Sequence, residues 1–544
     1  MKKQYKMTML IGMILVLQTL CMVYFANQKQ GYFVDELWSY GLANSYYHPH
    51  VYSDDALEGV WVSGDYFREY LEVSETERFC YDSVIYNQTQ DFHPPLFYIV
   101  LHTICSMFTD TFSKWYGIIP NICYFIITNI LLYYLSKRIY KNSWVAIIPP
   151  LFYGFSAGAI SNVIYIRMYA LMMVWILATL NMHCKWILVK KCTKKELLGL
   201  IAISYCGYMS HYYFFIFAFL ISVFYFMYLC LTSKKKNEIV QYVTAMMISL
   251  ILVLITFPTA YMKLFFGQRG SEAVHNFFDM DIFAVNVKRY WEIIGRGLLA
   301  NCQNIILLGC FIILIILFFN KFIICVRGNF DKISGVFRLR VYRPQIIEKE
   351  YVYNQYSVAV FLIFCTTMLY VLVVAKVSPY QTDRYVFSVY PVIMFLIIYF
   401  LKTLLELCGF HKIFAVGVIV LIFGVLSMKG ITGKFINYIY SEGEINVEIS
   451  KKYAGSDCIY ISGDYYKLVG NALELKNMER VHTLVPWKLE KITTLIDSSK
   501  SHIIVYLDEG LKQDETIQRL LDLTGFEQYE ELFQSRCFAY CLYR

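Results

Sequence analysis

The run MTMLIGMILVLQTLCMVYF, residues 7–25, followed at residues 34–36 by VDE, decides what kind of protein this is. A bilayer takes roughly 20 predominantly apolar residues to cross, and the run meets that length. Lys2, Lys3 and Lys6 precede it, and Tyr24-Phe25-Ala26-Asn27-Gln28 lacks a small-x-small cleavage site. It therefore reads as a retained signal anchor with its N-terminus inside. Asp35 and Glu36 then fall just outside the bilayer, close to where a lipid-linked molecule presents its phosphate.

The rest of the chain extends that reading. Of 544 residues, 58% are hydrophobic and only 17% charged, with a mean hydropathy of +0.47. That is too apolar for an ordinary soluble chain of this length. The 48 Tyr and 41 Phe fall often at the ends of apolar runs, as interfacial belts require. The net charge of +8 lies largely in short loops, and no basic-aromatic groove points to nucleic acid. Sixteen cysteines are scattered without metal-ligand spacing. Cys537 and Cys541 stand four apart on one expected strand, too far for a bridge without a bend.

Candidate spans are residues 7–25, 116–136, 143–159, 168–189, 196–209, 212–231, 239–260, 303–321, 356–376, 386–402 and 412–428, about eleven in all. Basic clusters at Lys137–Lys141, Lys185–Lys195, Lys234–Lys236 and Lys321–Lys349 then share the inner side. The run Leu96–Phe108 is short for a span, and counting it as one would move those clusters outside, so it is expected to lie on the membrane. Residues 281–299, with Tyr290 and Trp291 among Lys288, Arg289 and Arg296, read as a second interfacial helix. The expected class is an α-helical polytopic membrane protein with outer interfacial helices and a small soluble α/β domain. Its expected parts are a membrane domain at 1–429, with a first outer loop at 27–115, and an outer domain at 430–544. In that domain strands are expected at Cys458–Ser462, His502–Leu507 and Cys537–Tyr543, and a helix near Asp514–Leu523.

Five clusters land on the outer side together: Asp35-Glu36, His93-Pro94-Pro95, Arg167-Met168-Tyr169, His211-Tyr212 and Arg384-Tyr385. Any one alone is as well explained as a cap or an anchor. Jointly they suit chemistry on a phosphate-bearing lipid. One carboxylate would take the proton of an attacking hydroxyl. Neighbours on a helix point in different directions, so one of the pair, not both, is the expected base. The diproline turn would hold His93 against the acids or a phosphate, with the ring able to donate near neutral pH. Guanidinium groups at Arg167 and Arg384 would spread charge over phosphate oxygens. No Walker, DxD or dinucleotide fingerprint stands in a context that would bind a nucleotide, so a nucleotide-sugar donor is disfavoured and a metal is unnecessary.

Val34-Asp35-Glu36, Asp91-Phe92-His93-Pro94-Pro95-Leu96-Phe97-Tyr98, Arg167-Met168-Tyr169-Ala170-Leu171, Ser210-His211-Tyr212-Tyr213-Phe214 and Asp383-Arg384-Tyr385 together resemble the GT-C superfamily of membrane glycosyltransferases. The likeness is to the bacterial branch of protein O-mannosyltransferases and the aminoarabinose transferase of lipid A. It implies inverting transfer of a sugar from a polyprenyl-phosphate carrier to an envelope glycan, lipid or protein, at the outer face of the bacterial cytoplasmic membrane. By that resemblance Asp35 is the base and Glu36 assists. His93, Arg167, Tyr169, His211, Arg384 and Tyr385 would contact donor or acceptor. No cofactor is implied. The rival from another class is a transporter or flippase of lipid-linked glycans, which would place charge in mid-span rather than at outer ends.

Overall fold

The computed structural model describes residues 2–51, 60–232, 236–279, 282–331, 336–341, 355–440, 443–497, 499–534 and 537–544. Parts of the basic clusters at Lys234–Lys236 and Lys321–Lys349, and the first residue of the expected interfacial helix at 281, lie outside them. The chain divides into two compact units. One, the membrane unit, comprises Met1–Cys21, Cys123–Asn162 and Tyr169–Asn437. The other, the sheet unit, comprises Met22–Ile122, Val163–Met168 and Tyr438–Arg544.

Among the described residues eight helices are long and apolar enough to cross a membrane: Tyr5–Gln28, Trp115–Tyr140, Tyr169–Val189, Tyr213–Thr232, Lys236–Thr256, Gln355–Val377, Tyr390–Leu407 and Lys412–Thr432. Each meets an expected span. Two bent pairs raise the number to as many as ten. Ser143–Gly154 and Ala157–Ile164 meet at 58°, where Ser156 precedes the second helix and its Oγ accepts from the Ala159 N–H, 3.2 Å away, in that helix's first turn. Phe283–Leu299 and Gln303–Ile315 meet at 92°. Ala300 and Asn301 take φ of 47° and 61° there, the left-handed stop that ends a helix and releases its direction. A Cβ at Gly295 would stand 2.1 Å from the Gln303 side chain, so the return needs glycine. The remaining expected span, 196–209, is the 15-residue helix Lys194–Tyr208, opened by a capping box between Thr193 and Glu196. The apolar run at 96–108 forms only the ten-residue helix Leu96–Cys105, about 15 Å long at the usual rise and short for a crossing.

Eight strands are described: β1 (Trp61–Ser63), β2 (Val326–Asp331), β3 (Val336–Val341), β4 (Asp457–Ile461), β5 (Arg480–Leu484), β6 (His502–Asp508), β7 (Gln528–Gln534) and β8 (Cys537–Tyr543). β2 and β3 form an antiparallel hairpin in the membrane unit. The other six make one sheet in the order β1-β5-β4-β6-β8-β7. β4 is parallel to both β5 and β6, while β8 returns antiparallel to β6. β4 is buried along its whole length and β6 nearly so, which is why each reads in sequence as an unbroken apolar run. The core between sheet and helices gathers Ile459, Ile461, Val505, Leu507, Ile517 and Leu520. β7 closes one edge with exposed Glu530 and Glu531 and a bulge before Phe533, features that discourage further strand pairing. Cys537 and Cys541 are both buried and free.

β1 comes from the first polar loop, not the tail. Trp61, Val62 and Ser63 pair with His482, Val481 and Arg480, and Lys476 bonds Glu72 at 2.7 Å. The first loop and the tail are thus joined in one sheet.

Candidate functional site

Two helices frame the site, α1 (Lys2–Gln28) and α2 (Val34–Asn44). Asp35 and Glu36 occupy the first turn of α2, where carboxylates suit the positive end of the helix dipole. Glu36 reaches back to accept from the Phe33 N–H at 2.7 Å, half of a capping box. Successive helical residues differ by about 100° in direction, and the two carboxylates accordingly part.

Glu36 turns into the protein and is fully buried. It accepts from Lys29 Nζ at 3.0 Å and from the Ile166 N–H at 2.8 Å. Lys29, equally buried, also donates to the Tyr438 carbonyl at 2.7 Å. One ion pair therefore ties the loop after α1, the segment before Arg167 and the start of the tail. Burial pushes the Glu36 carboxyl above its ordinary range and pulls the Lys29 amine below its own, each group restraining the other's shift.

Asp35 is only half buried. Its carboxylate accepts from the Tyr165 hydroxyl at 3.3 Å. The Tyr165 ring is stacked on that of Tyr438, 4.1 Å between centroids. Arg167 Nη1 donates to the Asp35 main-chain carbonyl at 3.1 Å, to Ser39 Oγ at 3.0 Å and to Tyr98 Oη at 3.2 Å. Arg167 is 4% exposed, and its bond to the Asp35 carbonyl clamps the backbone from which that carboxylate projects.

Behind the clamp stands His93, whose Nε2 lies 3.2 Å from Arg167 Nη2. Guanidinium only donates, so this nitrogen accepts, and the proton sits on Nδ1, which donates to Asp91 at 2.7 Å. Burial works upward on the Asp91 carboxyl, but His93 and Arg167 outweigh it and hold the group down at about 2. The ring nitrogen expected to donate toward acids or phosphate is thus directed at Asp91. Pro95 caps the helix that carries Tyr98, so the diproline turn and the Arg167 clamp share one support.

The other expected residues gather within the membrane unit. Tyr169 opens its span with its ring 5.1 Å from that of His211. His211 Nδ1 accepts from the Tyr213 N–H at 2.9 Å, and the Tyr213 ring lies 5.2 Å from Tyr385. The Arg384 guanidinium stands 5.4 Å from the Tyr385 ring, a cation–π distance. Asp383 accepts from Asn437 at 2.7 Å. The structure therefore brings Asp35, Glu36, His93 and Arg167 together in one unit, and Tyr169, His211, Arg384 and Tyr385 together in the other.

Lys29, Tyr165 and the orienting role of Asp91 escaped sequence reasoning. Lys29 had a signal: a lone lysine at the far end of the first span breaks the charge rule the other clusters obey. Asp91 stood in the quoted motif but was not given a task. Among the described residues no three side chains of His, Cys, Asp or Glu gather as metal ligands would.

No family model and no curated protein matches the chain. Solved structures do. ArnT from Cupriavidus metallidurans bound to undecaprenyl phosphate is 8% identical over 98% of each chain, with a TM-score of 0.50. The same protein in the apo state is 9% identical, covering 92% of this chain and 95% of that one, at 0.46. The archaeal oligosaccharyltransferase AglB from Archaeoglobus fulgidus, in complex with an inhibitory peptide and a dolichol-phosphate, is 12% identical over 99% of this chain and 74% of its own, at 0.42. Only the first likeness is close enough to argue from, and it bears on fold: the chain is a multi-pass membrane protein that shares the fold of this ArnT.

Proposed function

We propose that the protein is a glycosyltransferase that takes a sugar from a polyprenyl-phosphate carrier and passes it to a cell-envelope glycan, lipid or protein. The observation that carries the reading is the treatment of Asp35: a half-buried carboxylate whose backbone is clamped by Arg167, itself held through His93 by Asp91. A carboxylate held in place on a clamped backbone is what proton abstraction from an attacking hydroxyl needs. The undecaprenyl phosphate bound by the ArnT of like fold supports a lipid-phosphate donor.

In the proposed step the acceptor O–H gives its proton to Asp35 and its oxygen bonds to the anomeric carbon. The bond from that carbon to the phosphate oxygen breaks on the opposite face, so configuration inverts and the carrier leaves as polyprenyl phosphate. Arg384, with His211, Tyr169 and Tyr385, is proposed to grip the lipid phosphate, a guanidinium being suited to its oxygens. Glu36 serves by fixing α2 rather than by touching the acceptor. The proposed setting is the outer face of the cytoplasmic membrane, with the N-terminus inside.

The test is incubation of the purified protein with a panel of polyprenyl-phosphate sugars and an envelope extract. A glycosylated product that vanishes with Asp35→Asn supports the reading. Carrier moved across sealed vesicles with no covalent product would support a flippase instead.

A further inference from the structure

The strand order β5-β4-β6 contains a reversal. From β4 the chain crosses to β5 on one side, then returns past β4 to β6 on the other. In open parallel sheets the crevice at such a reversal, outside the carboxyl ends of the strands, is where ligands bind. Here that edge is formed by the segments after β4 (462–467), after β5 (485–488) and after β6 (508–512).

The edge is rigid and aromatic at once. Asp508 accepts from Ser462 Oγ at 2.6 Å, from Lys467 Nζ at 2.8 Å and from the Gly510 N–H at 3.0 Å, pinning the segments after β4 and β6. From this base project Tyr466 and Trp487, each 72% exposed. Two large rings are thus left to solvent on the segments after β4 and β5. A Cβ added at Gly463 would meet the Trp487 ring at 3.5 Å, so the indole rests against the end of β4 and leaves its outer side open. Asp464 and Glu509 on the same segments are exposed; Asp464 Oδ1 accepts from the Tyr466 N–H at 3.0 Å, and Lys467 Nζ lies 3.5 Å from Glu509.

The edge also points at Asp35. The Tyr466 ring is 6.0 Å from that of Trp38, and Trp38 stands three residues after Asp35 on α2, one turn along the same side of the helix. Trp38 packs in turn on His50 and Tyr70, at 5.6 Å and 6.1 Å. Rings run from the helix of the proposed base to the crevice of the sheet.

Flat rings flanked by carboxylates and an amine suit a pyranose, whose C–H face packs on an aromatic plane while its hydroxyls reach acceptors and donors at the rim. We infer that the carboxyl edge of the sheet, with Trp487, Tyr466 and Trp38 as stacking faces and Asp464, Glu509 and Lys467 as polar partners, binds a saccharide chain. The proposal rests on the transferase reading in making that chain the acceptor: its end would lie at Asp35 and its body on the sheet.

The test is titration of the full-length protein in lipid nanodiscs with cellotetraose, chitotetraose and maltotetraose, read by calorimetry and tryptophan fluorescence. Binding of at least one tetrasaccharide is expected, weakened about tenfold or more by Trp487→Ala and by Tyr466→Ala, and largely restored by Trp487→Phe. Thermal melting of each variant separates lost binding from lost folding. Absence of binding by all three sugars overturns the proposal, as does unchanged affinity in the double variant Trp487→Ala, Tyr466→Ala. Binding needs no turnover, so the two readings fail separately. A chain that holds tetrasaccharides but transfers no sugar overturns the transferase and keeps the saccharide site. Transfer to a polypeptide that proceeds unchanged in the double variant keeps the transferase and overturns the site.

Discussion

The surroundings of Asp35 and those of Arg384 are built from different forces. Around Asp35, Lys29, Glu36, Asp91, His93 and Arg167 are linked by charge-assisted hydrogen bonds in a buried setting. Around Arg384 the described links include more ring contacts, Tyr169 on His211 and Tyr213 on Tyr385, with the guanidinium over Tyr385, beside hydrogen bonds from the Tyr213 N–H to His211 and from Asn437 to Asp383. Directional bonds hold a group to within tenths of an ångström, which a base requires. Ring contacts are less directional and hold a shape rather than a single atom.

That contrast is open to attack. The largest effect is expected from Glu36→Gln, which leaves Lys29 buried without its counter-charge and costs about 3–5 kcal/mol. The unfolding midpoint in detergent should fall sharply, and Lys29→Met added to Glu36→Gln should recover much of the loss. An unaltered midpoint in the single variant would mean the ion pair contributes nothing. Next comes Asp35→Asn, in which transfer should drop on the order of 100-fold or more with melting unchanged; ordinary activity would remove Asp35 from the chemistry.

Acid should act on the clamp. The folded-state value for Asp91, about 2, lies below the ordinary carboxylate value. Its ionised form therefore stabilises the fold above about pH 4, and this is lost as pH falls from about 4 toward 2, worth about 2–3 kcal/mol. Melting curves between pH 5 and 2 should show that limb, and Asp91→Asn should flatten it. A variant that keeps the limb would assign it to another acid.

Arg167→Lys keeps the charge but loses the fork that serves three acceptors and His93. As a positioning change it should lower kcat about tenfold while KM for the donor hardly moves, a split of about 1.4 kcal/mol in the turnover step alone. A rise in KM with kcat intact would make Arg167 a donor contact instead. The smallest effect is expected from Tyr385→Leu, which removes one ring pair worth about 0.5–1.5 kcal/mol. It should weaken retention of a polyprenyl phosphate on the protein, and melting at saturating lipid measures that.

What the chain showed beforehand follows from how local each signal is. Span placement rests on summed hydropathy over short windows, and each of the eight helices coincides with an expected span. The expected spans beyond those eight are 196–209, which forms the 15-residue helix Lys194–Tyr208, and 143–159 and 303–321, each part of a pair bent at a break that hydropathy does not register. In the tail, the apolar β4, β6 and β8 were legible. β5, which reads Arg480-Val-His-Thr-Leu484, and β7, with exposed Glu530 and Glu531, were not. Their strand character comes from neighbours, not from their own composition.

By itself the sequence determined a multi-pass helical membrane protein, a polar first loop, an α/β tail and the motif residues clustered in the loops between spans. Each of these depends on properties that add along a short stretch of chain. Only the tertiary structure decided that Glu36 turns inward to Lys29 and Ile166, that Asp91 and His93 stand behind Arg167, and that residues 61–63 complete a sheet built by the tail. Glu36 meets Ile166 across 130 residues, and Lys29 meets Tyr438 across 409. A buried charge takes whatever partner the fold delivers, because leaving it alone costs several kcal/mol, and no local pattern names a partner that far away.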